Sequence, residues 1–86
     1  MIEQSKKILV TGGASGIGAA ICRRMSDKDS HFFVHTRANK AGLEKTIRDI
    51  EKNGGRGNAE LADLAVKGAA RLLIQRAIDV LGGLDI

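Results

Sequence analysis

Lys7-Ile8-Leu9-Val10-Thr11-Gly12-Gly13-Ala14-Ser15-Gly16-Ile17-Gly18 is the stretch from which the rest of the chain takes its meaning. Lys7 to Thr11 is rich in β-branched and aliphatic residues and predicts a buried strand. Gly12, Gly13, Gly16 and Gly18 follow at once. From there Ile17, Ile21 and Met25 recur every four residues and predict a helix ending near Asp27. Each small residue of the turn has a physical task. Gly12 lets the chain leave the strand tightly, Gly16 leaves its backbone open to a close-approaching pyrophosphate, and Gly18 lets the helix lie against the sheet. Ala14 and Ser15 complete the turn, with a hydroxyl donor on Ser15, and Ile17 begins the helix. The helix N-terminus offers free N–H donors and a partial positive charge to an anion. A glycine string alone is equally a plain turn, and glycine is common here at 11 of 86 residues. Its place between a strand and a helix gives it meaning.

The alternation continues along the chain. His31 to Thr36 is a second apolar run without strict alternation, which suits a strand covered on both faces. Asn39 caps a second helix whose buried side is Leu43, Ile47 and Ile50, and Gly54 and Gly55 end it. Gly57 to Leu61 is a weak third strand. Asp63 is expected as the N-cap of a long third helix, lined by Val66, Ala70, Leu73, Ala77 and Val80 and stopped by Gly82 and Gly83. Leu72, Ile74 and Ile78 make that helix apolar more widely than one sheet face needs. Leu84, Asp85 and Ile86 open a fourth strand. Such alternation predicts an α/β fold with a parallel sheet, right-handed crossovers and helices on both faces.

Composition excludes whole classes of function. The 86 residues hold one cysteine, Cys22, and no Tyr, Trp or Pro. A disulfide framework and a cysteine zinc cluster are therefore excluded, as are aromatic cages, base-stacking platforms and a tyrosine general acid. The apolar share of 43% is that of a globular domain, and no apolar run approaches a membrane span. Met1 to Lys7 is mixed and charged, unlike a signal peptide. A soluble, cytoplasmic protein is expected. The net charge is +4, but Lys6, Lys7, Arg23, Arg24 and Lys28 are scattered and have no aromatics between them. Neither nucleic acid nor membrane is expected as a partner. His31 and His35 share one strand face, roughly 13 Å apart by strand rise, too far for one metal ion; no metal site is expected. Cys22 sits mid-helix as a buried structural thiol.

Thr11 to Gly18 matches the T-G-x-x-x-G-x-G pattern of the classical short-chain dehydrogenase/reductase family. The chain resembles that family throughout, and is most like its 3-oxoacyl-(acyl carrier protein) reductases, with ILVTGGASGIGAAI and GGLDI as family-like flanks. The resemblance implies a Rossmann-like doubly wound parallel sheet. Residues 1–86 would be the N-terminal part of a single NAD(P)-binding domain, cut before the catalytic segment. It implies a nicotinamide dinucleotide held by Gly12, Ala14, Ser15, Gly16, Ile17 and Gly18. It further implies hydride transfer to or from a carbonyl or alcohol substrate, 3-oxoacyl thioesters among them, and full-length homo-tetramers.

In this fold the end of the second strand faces the adenosine ribose. An acid there favours NAD(H) and repels a 2′-phosphate. Here Thr36 and Arg37 stand with no acid from Val34 to Lys40. Thr36 offers a hydroxyl, Arg37 a planar fork matched to phosphate oxygens, and Lys40 further charge. NADP(H) is expected in preference to NAD(H). Many NADP-preferring relatives carry a basic residue where Ser15 stands, and this chain does not. By the same resemblance Asp63 accepts from the adenine amino group, with the Leu64 backbone alongside.

The family's catalytic Asn, Ser, Tyr and Lys would all follow Ile86, so no catalytic residue is assigned here. The strand order 3-2-1-4 would leave the first strand a bare apolar edge. The 86 residues alone are expected to bind NADP(H) poorly and to reduce nothing. The alternative reading is a non-catalytic nucleotide-binding or regulatory module built on half a Rossmann fold. A third is a basic interaction domain, whose mark would be salt-dependent nucleic-acid binding.

Overall fold

The computed structural model describes residues 6–86; most of the charged opening Met1 to Lys7 lies outside the described residues. The elements alternate as β1 (Lys6–Thr11), α1 (Gly16–Met25), β2 (Ser30–Thr36), α2 (Lys40–Lys52), β3 (Arg56–Leu61) and α3 (Ala69–Leu81). The three strands are parallel in the order β1-β2-β3, as the expected 3-2-1 order requires.

Central β2 is covered on both faces, which is why its sequence does not alternate. Phe32 and Val34 pack with Ile8 and Val10 of β1, Cys22 of α1, and Leu43 and Ile50 of α2. Phe33 points the other way, onto Leu73, Ala77 and Leu81 of α3. The sheet is doubly wound, with α1 and α2 on one face and α3 on the other. Asn39 caps α2 as expected, its side chain accepting from the Gly42 N–H at 3.0 Å.

Three expectations are corrected. The stripe Ile17, Ile21, Met25 does not form the inner side of α1. Ile17 is 80% and Ile21 41% exposed; Ala19 and Cys22 face the sheet, and Met25 packs at the core's rim. The approach is too close for branched side chains: a Cβ on Gly18 would collide with the Gly12 carbonyl. The second correction concerns Asp63, which does not cap α3. Its Oδ1 accepts from the Ala65 N–H at 2.9 Å, closing a local turn of the kind Asp favours. The helix begins only after Gly68, so Val66 precedes it, while Leu73 and Ala77 are buried as expected. Its buried stripe is Leu73, Ala77 and Leu81, while Val66, Ala70 and Val80 are exposed.

The third correction is at the edge of β1, which is not bare. The Asp85 N–H donates to the Lys7 carbonyl at 2.8 Å and the Leu9 N–H to the Ile86 carbonyl at 2.9 Å. Asp85 Oδ2 also accepts from the Lys7 N–H at 2.9 Å. Leu84 to Ile86 thus lies along β1 as the expected fourth strand would.

Phe32 is fully buried, so Phe32→Ala lowers the unfolding free energy by about 3–5 kcal/mol. Ile17→Ala changes it by no more than about 0.5 kcal/mol. Urea titrations of the two variants check both values, and equal losses would contradict the burial assigned to α1.

Candidate functional site

The C-terminal ends of parallel strands lie side by side, so three separate turns meet at one edge of the sheet. The first is Gly12 to Ser15, between β1 and α1. Gly12 and Gly16 have φ of +68° and +59°, a region that costs other residues strain. A Cβ on either would meet nothing within 4 Å, so open space lies over the turn. Ser15 is the N-cap, but its side chain makes no cap bond, and the first turn of α1 has no acid. The first helical bond runs from the Ala19 N–H to the Ser15 carbonyl at 3.3 Å. The N–H groups of Gly16, Ile17 and Gly18 therefore have no helical acceptor. Ala14 is buried in the core, so it offers only its backbone to this space.

The turn is clamped from below. The Gly13 N–H donates to the His35 carbonyl at 2.9 Å. Thr46 Oγ1 of α2 lies 2.7 Å from the Gly13 carbonyl and 3.1 Å from that of Gly42; its one proton serves the nearer. A Cβ on Gly42 would run into the Ala14 carbonyl, so α2 touches the turn backbone to backbone. Sequence reasoning missed both residues. The available signal was a polar Thr46 on the buried stripe of Leu43 and Ile50, where an unpaired hydroxyl is costly.

The second turn follows β2. Thr36 is buried, with its carbonyl accepting from the Ala62 N–H at 3.1 Å. Arg37 projects into solvent, its side chain 80% exposed. The third turn follows β3 and holds Asp63 and Leu64, both exposed. Because Thr36 pairs with Leu61 in register, Asp63 comes beside Arg37, with Oδ2 3.8 Å from Nε. The sequence shows no acid near Arg37; the neighbouring strand supplies one. An exposed pair at that distance contributes no more than about 1 kcal/mol. A groove of about 450 Å³ between α2 and β3, lined by Glu44, Arg48 and Asn58 among others, includes none of the sequence-predicted site residues.

A βαβ unit with this turn defines a dinucleotide-binding fold. The comparisons narrow it. The family model for short chain dehydrogenases matches residues 6–86, and the chain belongs to that family. It is 32% identical over 83 residues to 3beta-hydroxysteroid dehydrogenase 1 of Eggerthella lenta, covering 96% of this chain and 32% of that protein. It is 30% identical over 81 residues to glucose 1-dehydrogenase 2 of Bacillus subtilis, covering 94% and 31%. Among solved structures, a short chain dehydrogenase from Burkholderia cenocepacia in complex with NADP superposes with a TM-score of 0.87 at 35% identity, covering 96% and 34%. Acetoin dehydrogenase from Enterobacter cloacae gives 0.87 at 27% identity, covering 98% and 33%. The chain spans about a third of the length of these relatives. Among the described residues no helix is long and apolar enough to cross a membrane.

Cys22 takes no part in the site. It is fully buried, and burial pushes its thiol up to about 11, with Arg23 opposing. The folded chain should resist alkylation at neutral pH and react promptly once unfolded in urea; labelling read by mass spectrometry checks this. Because folding raises the thiol above its unfolded value of 9.0, its contribution to stability is complete below that value. It is lost as pH rises toward about 11, which urea midpoints across that window would register.

Proposed function

We propose that this chain is the NADP(H)-binding portion of a short-chain oxidoreductase, the N-terminal part of a single Rossmann domain. The observation that carries the reading is Arg37. It stands at the end of β2, where the fold presents the adenosine ribose, and Asp63 approaches only its Nε, beyond hydrogen-bond length. Its terminal N–H groups make no hydrogen bond among the described residues, and they form the fork that suits a 2′-phosphate.

The residues present fit a dinucleotide. The open space over Gly12 and Gly16 and the three free N–H groups of Gly16, Ile17 and Gly18 suit a pyrophosphate. Ser15 adds an uncommitted hydroxyl. Ala14 lends its backbone, Thr36 the floor of the ribose site, and Asp63 with Leu64 the adenine side. When bound, the nicotinamide supplies or accepts the hydride exchanged with a carbonyl or alcohol carbon. The chain's own residues bind and orient; with no tyrosine, they do not include the family's general acid. The likeness of the turn and of Gly82 to Ile86 to 3-oxoacyl reductases nominates a 3-oxoacyl thioester as substrate of the complete enzyme. Cys22, a single buried thiol, fits a reducing, cytoplasmic setting.

The chain holds no Trp or Tyr, so NADPH emission can be followed without protein background. Loss of a charged hydrogen bond at Arg37→Gln weakens NADPH binding about tenfold or more and leaves NADH nearly unchanged. Equal losses for both cofactors would overturn the 2′-phosphate assignment. The 86 residues alone are expected to oxidise no NADPH when an acetoacetyl thioester is added, and turnover in that assay would contradict the absence of a catalytic group.

A further inference from the structure

His35 is 96% buried at the C-terminal end of β2 (4% exposed), and the cofactor reading gives it nothing to do. Yet two of the three turns at the sheet edge are tied to it. Its backbone carbonyl accepts from the Gly13 N–H at 2.9 Å, and its ring Nε2 lies 2.7 Å from the Ala62 carbonyl. A carbonyl only accepts, so Nε2 carries the proton. Nδ1 is then a bare acceptor, buried without a partner. A buried polar atom left unpaired is costly, and a leucine would avoid that cost. The ring is therefore present for its Nε2 bond.

That bond acts at the corner where β3 ends. Ala62 is held at both backbone groups, its N–H by the Thr36 carbonyl and its carbonyl by His35. Asp63 follows at once and builds the next turn with its own carboxylate. We propose that His35 is a positioning residue for the dinucleotide: it ties the glycine turn and the Ala62–Leu64 corner to one rigid strand end. It thereby sets the separation at which the pyrophosphate and the adenine are received. The assignment rests on the cofactor reading above.

The test uses the 86-residue chain, labelled with ¹⁵N, and the variants His35→Leu and His35→Gln. Both variants keep the backbone bond from Gly13; only glutamine keeps an N–H donor of similar reach. In the unsubstituted chain, ring nitrogen shifts should place the proton on Nε2. In His35→Leu, amide exchange at Ala62, Ala65 and Val66 should quicken while that of Val34 holds. Affinity for adenosine 2′,5′-bisphosphate should fall about tenfold, the value of one lost hydrogen bond, while binding of inorganic pyrophosphate is unchanged. His35→Gln should restore both readouts. A proton on Nδ1 overturns the proposal, and this measurement needs no variant to fold. So does a His35→Leu chain with unaltered exchange and affinity. Failure of the unsubstituted chain to bind the bisphosphate at millimolar concentration overturns the cofactor reading and the role of His35 with it. Normal binding that ignores position 35 overturns the role of His35 alone.

Discussion

At the start of α1, the backbone of one element rests directly on the backbone of another. Gly18 lies against the Gly12 carbonyl with no room for a methyl group. This contact fixes the height of α1 above the sheet, and much else follows from it. At that height only Ala19 and Cys22 fit beneath the helix. The helix N-terminus is held over the end of β1, with its N–H groups facing the open side of the turn. α2 repeats the device from the other side through Gly42 and the Ala14 carbonyl. The turn between them is gripped at Gly13, by Thr46 and by His35. A loop of glycines is costly to order; here the neighbouring elements fix it before any ligand arrives.

The parts legible in the sequence are those whose causes are local. β1, the turn, the Asn39 cap and the Gly82 stop of α3 each depend on residues close together in the chain. The parallel sheet follows from their alternation and its strand order from the family resemblance, and the place of Arg37 at the end of β2 was legible because it falls at a fixed distance beyond the glycines. The buried face of α1 and the start of α3 were not legible, for different reasons. In α1 the spacing of Ile17, Ile21 and Met25 was real, but the close approach at Gly18 turned small residues inward. In α3 the Asp63 carboxylate is engaged in a turn at Ala65, and the helix begins only after Gly68, with Leu73 and Ala77 still facing the sheet.

The relations within the candidate site were hidden for a third reason. Arg37 and Asp63, and His35 and Ala62, are brought together by the parallel pairing of β2 and β3, and Thr46 and Gly13 by the packing of α2 on the glycine turn. Their separations in sequence carry no sign of it. His35 stands out only because a ring with one bonded and one bare nitrogen lies where an aliphatic side chain would pack. Burial of a polar group with incomplete pairing is a three-dimensional fact.

Asp85 lies on Lys7 across 78 residues, and this span bears on how the chain reaches its structure. Each βαβ crossover closes a loop of one helix, whereas covering the outer edge of β1 closes nearly the whole chain. The entropy of that closure grows only slowly with length, but contacts of high sequence separation form late. β1 is therefore expected to pair with β2 before Leu84 to Ile86 covers its other edge. During that interval the strand beside the glycine turn is a template for any extended chain nearby. Folding in isolation from other copies favours the native closure over intermolecular pairing.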